Sequence, residues 1–135
     1  MLLGIDPLLR GPLLAALDGM GHGDVVVVAD ANFPARRLGS RVIALVGVDA
    51  TRALRAVVSV LPVDADEPVS LMATADGGPV PIHGELAQAS GARPTAVELL
   101  GRQEFYELAA RAELVVHTGE MRAYGNVALR KGVRN

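Results

Sequence analysis

At 135 residues, 50% of them apolar and 21% charged, the chain has material for one globular domain with one core and no room for a second. A formal net charge of -2, with Lys and Arg scattered except for short pairs such as Arg36-Arg37 and Arg130-Lys131, argues against nucleic acid or an anionic membrane as the main partner. There is no cysteine, so disulfides, thiol nucleophiles and Cys-ligated zinc are excluded. No stretch approaches the ~20 apolar residues a membrane-crossing helix needs, and the start, Met1-Leu2-Leu3, carries no basic residue. The expectation is a soluble, cytoplasmic protein. With two Phe, two Tyr and no Trp, the core must be filled by Ala, Val and Leu. Small side chains bury less area each, which favours a subunit that hides more surface against copies of itself.

The elements alternate along the chain. Asp6-Pro7 and Gly11-Pro12 each look like a helix start, and Leu13, Leu14, Leu17 and Met20 then share one face of a helix ending at Gly19 or Gly21. Val25-Val26-Val27-Val28-Ala29 is a run of small or β-branched apolar residues, a strand buried on both faces. Asn32 to Ser40 is expected to be loop, because Pro34 and Gly39 break regular structure. Val42 to Leu45 is a second strand. Asp49 or Thr51 can cap a helix whose buried stripe is Ala53, Leu54, Val57, Val58 and Leu61, with Pro62 as its stop. A strand over Val69 to Ala75, a short helix over Pro81 to Ser90 and a strand over Ala96 to Leu100 follow. Gln103 to Ala112 is the clearest helix by spacing, and strands over Glu113 to Thr118 and Asn126 to Lys131 end the chain. Strands alternating with helices imply a single α/β domain over residues 1–135, a three-layer α/β/α arrangement. The last two of its six strands lack a helix between them, so the sheet is expected to be mixed.

Candidate chemistry concentrates where strands end. Gly21 and Gly23 flank His22, so its imidazole can stand at the tip of a tight turn and pass protons near neutral pH. The bland alternative is a solvated turn residue after a helix. His22, His83 and His117 stand apart with no metal-ligand spacing, so no metal is expected. His117 reads as a satisfied sheet histidine, and His83, on a helix expected at the surface, is assigned no role. There is no Gly-x-Ser-x-Gly elbow and no phosphate-binding glycine loop. What remains is His22, Asp30, Arg102, Glu120, Tyr124 and Asn126. Carboxylate, guanidinium and amide groups of this kind hold a small hydroxylated ligand in a fixed orientation.

Met20-Gly21-His22-Gly23-Asp24, the Asp30-Ala31-Asn32-Phe33-Pro34 loop, Arg102 followed by Phe105-Tyr106, Thr118-Gly119-Glu120, Tyr124-Gly125-Asn126 and Lys131-Gly132-Val133 occur in one order. In these stretches, from Pro7 to Val133, the chain resembles the fucose mutarotase and ribose pyranase family. The resemblance implies an RbsD-like fold and an enzyme that interconverts the cyclic forms of a free monosaccharide. It also implies a ring-shaped homo-oligomer, commonly a decamer, that works without cofactor or metal. On the family's pattern His22 is the proton donor, and Asp30, Arg102, Tyr124 and Asn126 fall on sugar-binding positions. Arg102 tilts the resemblance towards the fucose branch, since the ribose branch typically carries histidine there. His117 before Thr118, Met121 in place of a usual arginine and the Arg134-Asn135 end depart from the pattern and bear on which sugar is used. Ribose pyranase activity and a non-catalytic sugar-binding or scaffold role are the alternatives.

Anomer exchange needs two proton transfers, one from the anomeric hydroxyl and one to the ring oxygen, and no activated nucleophile. Glu120 is open as a partner for Arg102 or as the base. His22 and Asp30 lie eight residues apart across one strand, so at ~3.3 Å per residue their backbones stand roughly 20 to 26 Å apart. One monosaccharide cannot touch both within a straight-stranded subunit. Either the strand is shorter or strongly bent, or a neighbouring subunit completes the pocket; the second, a composite site, is the working expectation.

Overall fold

The computed structural model describes all residues, Met1–Asn135. The strands are β1 (Val25–Ala29), β2 (Val42–Leu45), β3 (Val69–Met72), β4 (Val97–Leu100), β5 (Leu114–Thr118) and β6 (Val127–Arg130). The helices are α1 (Gly11–Asp18), α2 (Ala35–Leu38), α3 (Ala50–Val58), α4 (Pro81–Ser90) and α5 (Arg102–Ala110), with a single 3-10 turn at Pro94–Ala96. No helix is long and apolar enough to cross a membrane.

The six strands form one sheet in the order β2-β5-β1-β6-β3-β4. β2, β5 and β1 pair in parallel, as do β3 and β4, while β6 runs antiparallel to both β1 and β3. The sheet is therefore five co-directional strands with one reversed strand inserted near the middle. Alternation along β1 sorts the core into two layers. Val26 and Val28 face a large cluster with Leu13, Leu17, Leu54, Val57 and Leu86 from α1, α3 and α4. Val27 and Ala29 face a smaller one with Ala35, Phe105, Leu108 and Ala109 from α2 and α5. Both faces of the sheet are covered, as the unbroken apolar run implies. The mixed α/β architecture expected from the sequence is the one observed.

Several boundaries differ from expectation. The Asn32 to Ser40 stretch contains α2, because four residues between Pro34 and Gly39 suffice for one turn of helix. Gly39 fits a tight spot there: an added Cβ would lie 3.0 Å from the Ala35 carbonyl oxygen, Val42 and Val115. α1 starts at Gly11, since the Asp6 carboxylate accepts from the Leu8 amide and forms a two-pronged pair with Arg52 at 2.8 Å instead of capping a longer helix. β3 stops at Met72, where the chain turns through Thr74 and Gly77 (φ +83°). α3 begins as expected, with the Asp49 carboxylate accepting from the Arg52 amide at 2.7 Å.

Candidate active site

Because β6 runs against its neighbours, the link from the end of β5 to the start of β6 must pass over the end of β1. That crossing, residues 119–126, carries Glu120, Tyr124 and Asn126 to the carboxyl end of β1, where Asp30 emerges. Carboxyl ends of strands are where open α/β sheets place their ligands. Here they surround a cleft of about 220 Å³ lined by Asp30, Asn32, Phe33, Met72, Arg102, Tyr106, Ala123, Tyr124 and Asn126. The volume lies below the ~300 Å³ at which pockets for drug-sized ligands begin. It suits a single small ring.

Asp30 and Asn126 are locked together at the base of the cleft. The Asp30 amide donates to Asn126 Oδ1 at 2.7 Å, and Asn126 Nδ2 donates to Asp30 Oδ2 at 3.0 Å. This reciprocal pair fixes the orientation of the Asn126 amide. Asp30 Oδ1 accepts from the Asn32 amide at 3.0 Å. Burial pushes the Asp30 carboxyl above its usual range, opposed by these hydrogen bonds and by the Phe33 and Gly125 amides. Each of its oxygens keeps acceptor capacity for a ligand hydroxyl. Phe33 forms the apolar floor, packed edge-on against Phe105 at 5.9 Å and Tyr106 at 5.6 Å. Arg102, the first residue of α5, is exposed on the rim and takes part in none of the chain's five ion pairs. Its guanidinium is available to a ligand.

Tyr124 is the one non-glycine residue in the left-handed region, at φ 64°. Such a backbone costs energy and must be held by its surroundings. On one side is Gly125, where an added Cβ would stand 2.9 Å from Ile82 and 3.0 Å from Glu120. On the other is His83, whose Nε2 lies 3.1 Å from the Tyr124 carbonyl oxygen while its Nδ1 accepts from the Val80 amide at 3.2 Å. Those two partners require the neutral ring with the proton on Nε2. Burial lowers the His83 pKa, which keeps that form. The expectation of an idle surface histidine is corrected: His83 is 4% exposed and braces the cleft wall from behind.

Glu120 lies outside the cleft lining. Its buried carboxylate is gripped by Arg122 through Nε and Nη2, both at 3.0 Å, and accepts from the Ala50 amide at the start of α3 at 3.3 Å. Its partner is thus Arg122, which also meets Glu85, and not Arg102. Arg122 holds the Glu120 carboxyl below its usual range against the opposing effect of burial. His117 behaves as a sheet histidine, with its Nε2 3.1 Å from the Ala31 carbonyl oxygen.

His22 stands elsewhere. It occupies the turn before β1, with Gly23 at φ +87°, and its imidazole meets Asp64 at 3.0 Å. β1, paired on both sides, separates it from Asp30. The structure therefore brings Asp30, Arg102, Tyr124 and Asn126 together and leaves His22 at the opposite end of the sheet. Sequence reading named the segments holding Asn32, Phe33 and Tyr106 without assigning those residues to the site. Met72, Ala123 and Asp64 carried no local signal.

A buried carboxylate–amide pair, a free guanidinium, an aromatic floor and a small volume give the cleft the chemistry to hold a small polyhydroxylated molecule. Residues 3–134 match the model of the RbsD / FucU transport protein family. The chain is 38% identical to an L-fucose mutarotase of Glaesserella parasuis serovar 5, over 98% of this chain and 96% of that one. Its structure is similar to the fucose mutarotase of Streptococcus pneumoniae in complex with L-fucose, with a TM-score of 0.91, 33% identity and coverage of 99% and 100%. It is also similar to Bacillus subtilis RbsD complexed with D-ribose, with a TM-score of 0.79, 25% identity and full coverage of both chains. The chain belongs to the RbsD/FucU family.

Proposed function

We propose that the protein is a monosaccharide mutarotase, an isomerase that interconverts the α and β ring forms of a free sugar, most favourably L-fucose or a related hexose. The observation that carries this reading is the cleft at the carboxyl end of β1, where Asp30, Arg102, Tyr124 and Asn126 converge on a volume of about 220 Å³. The likeness to L-fucose mutarotase over nearly the whole chain supports it. In the proposed reaction the anomeric hydroxyl gives its proton to a base, a carboxylate or bound water, as His22 gives one to the ring oxygen. The bond between anomeric carbon and ring oxygen breaks, and the open aldehyde turns. Closure on its other face reverses both transfers. Asp30 and Asn126 orient hydroxyls through their fixed oxygens and amide, and Arg102 reaches the outer edge of the ring.

His22 and the cleft sit at opposite ends of the sheet, so we propose a composite site in which His22 of one subunit faces the cleft of the next. The assembly is a ring, on the family's pattern a homodecamer, and the setting is the cytoplasm. A sugar-binding module without turnover is the competing reading from another class. Saturation-transfer NMR on anomeric protons of fucose, galactose, allose and ribose separates the two. Accelerated exchange that is lost in His22→Ala supports the enzyme, and binding without exchange overturns it. Activity followed through dilution tests the composite site: exchange should fall as the assembly dissociates, and a fully active monomer would refute it.

A further inference from the structure

The ring of His83 makes its two hydrogen bonds in two different parts of the fold. Nδ1 accepts from the Val80 amide at the start of α4, at 3.2 Å. Val80 offers no side-chain cap of its own, so this bond serves the helix end. Nε2 reaches the Tyr124 carbonyl oxygen at 3.1 Å, 41 residues along the chain, in the segment that crosses over β1. Burial lowers the His83 pKa more than the backbone of Tyr124 and Met72 raises it, and both of those residues line the cleft.

The Tyr124 carbonyl is one end of a peptide group whose other end is the Gly125 amide. A trans peptide points its C=O and N–H in opposite directions. With the carbonyl held from behind the wall, the N–H is turned forward, and the Gly125 amide is among the groups that favour the charged form of Asp30. Turning the peptide over would aim a carbonyl oxygen at that carboxylate instead. Tyr124 sits at φ 64°, where a residue with a Cβ needs outside support. Ile82, next to His83 on α4, crowds the same peptide, since a Cβ on Gly125 would stand 2.9 Å from its Cδ1. Crowding limits the space, but the hydrogen bond selects which way the peptide faces.

From this geometry we propose that His83 is a positioning residue for sugar binding: through Nε2–H it holds the Tyr124–Gly125 peptide so that the Gly125 amide stays turned to Asp30 and Tyr124 stays in the cleft wall. The inference rests on the reading of that cleft as the sugar site. Losing the bond lowers the fraction of molecules with a binding-ready cleft, and apparent affinity falls by that fraction.

The two ring nitrogens can be separated by substitution. The side-chain amide of glutamine reaches as far as Nε2 and donates to the Tyr124 carbonyl, whereas asparagine is one carbon shorter and offers an oxygen where Nδ1 stood. In calorimetric titration with L-fucose, His83→Asn should weaken binding by roughly 3- to 10-fold, the range for one neutral hydrogen bond, and His83→Gln should recover most of the loss. In anomer exchange the loss should appear in KM rather than kcat. Asparagine and glutamine variants weakened alike, or an asparagine variant that binds as the wild type does, would reduce His83 to a helix-start and packing residue and overturn the inference. Imidazole ¹⁵N spectra of the wild type give a check that needs neither variant nor sugar. Nε2 should carry the proton and Nδ1 none, and the opposite tautomer would overturn the inference. Asp30→Ala tells its failure from failure of the reading beneath it. Fucose affinity lost in Asp30→Ala but kept in His83→Asn sinks the positioning role alone, whereas affinity kept in both sinks the cleft as the sugar site and the positioning role with it.

Discussion

The two ends of β1 hold their polar groups in different ways. At the carboxyl end Asp30 is buried, locked to Asn126 by two hydrogen bonds and to Asn32 by a third, on an aromatic floor. At the amino end His22 projects outward and depends on one contact, to Asp64. The first region is preorganised by the interior of the subunit. The second is preorganised only at its hidden partner, and it turns its imidazole away from the body that made it. A group meant to bind is best held by its own core, since rigid donors and acceptors need no reorganisation when the ligand arrives. A group meant to reach into another subunit's cleft has to stand out. In the proposed composite site, the exposure of His22 is what lets its imidazole reach the cleft of a neighbouring subunit.

The largest effect should come from the exposed end. In the proposed mechanism His22→Ala removes the general acid, and such groups typically contribute 10²- to 10⁴-fold to rate, so anomer exchange measured by NMR should fall within that range. Thermal stability should change little, because the side chain is 64% exposed and its one hydrogen-bond partner is Asp64. A large drop in melting temperature would break the contrast between the two ends.

Removing Asp30 should do the reverse. Hydrogen bonds to charged groups are worth about 1.5–3 kcal/mol, so Asp30→Ala should weaken sugar affinity by roughly 10- to 100-fold. The pH dependence has a definite sign. Burial raises this carboxyl above 3.8, so the native state holds its proton more tightly than the unfolded chain does. Stability therefore falls as pH rises through the window between 3.8 and the raised value. Sugar binding moves oppositely and is lost on acidification, beginning above the pH at which an ordinary aspartate would protonate. Calorimetric titration with fucose across the acid range checks this, and affinity that is flat down to pH ~4 would contradict it.

Glu120, whose carbonyl accepts from the Ala31 amide at 2.8 Å, supplies the control. Arg122 depresses its carboxyl below 4.5. The stability it contributes is thus present above that value and lost as pH falls through the depressed one. Glu120→Ala leaves the Ala50 amide and part of Arg122 without a partner. The expected cost is about 1–3 kcal/mol in denaturant unfolding, with a smaller effect on sugar affinity than Asp30→Ala. Two neighbouring buried carboxylates thus divide into one that burial destabilises at the base of the cleft and one that ties the crossing segment to α3.

These two carboxylates also show what the sequence could reveal. Both were visible as polar residues at strand ends, but their roles depend on pairings the chain does not encode locally. Asn126 lies 96 residues from Asp30, and Ala50 lies 70 from Glu120. β1 and α3 were legible because an unbroken valine run and an apolar stripe behind Asp49 are local patterns. A mixed sheet followed from the missing helix between β5 and β6. That β1 lies between those two strands did not, although this insertion is what carries Tyr124 and Asn126 to Asp30. α2 escaped because one helical turn has no period to detect. Asp64 sits in Val63-Asp64-Ala65-Asp66-Glu67, where nothing local separates a buried acid from solvated ones. His83 looked exposed because the wall it braces is 41 residues away.

The smallest effect should sharpen the cleft end alone. Arg102 is a long cation on the rim without an internal ion-pair partner, so it can reach ring hydroxyls, whose directions differ between fucose and ribose. Histidine at the same position is shorter and cannot present two parallel donors. Arg102→His should therefore lower exchange of fucose relative to ribose by about 1 kcal/mol, roughly five-fold, while the fold and the Asp30–Asn126 pair stay intact. Competition between the two sugars in one NMR sample reads the ratio directly, free of errors in protein concentration. An unchanged ratio would mean that Arg102 contributes only general attraction to hydroxyls, and that the choice between sugars is made by the Phe33–Tyr106 floor or by the residues a neighbouring subunit brings to the cleft.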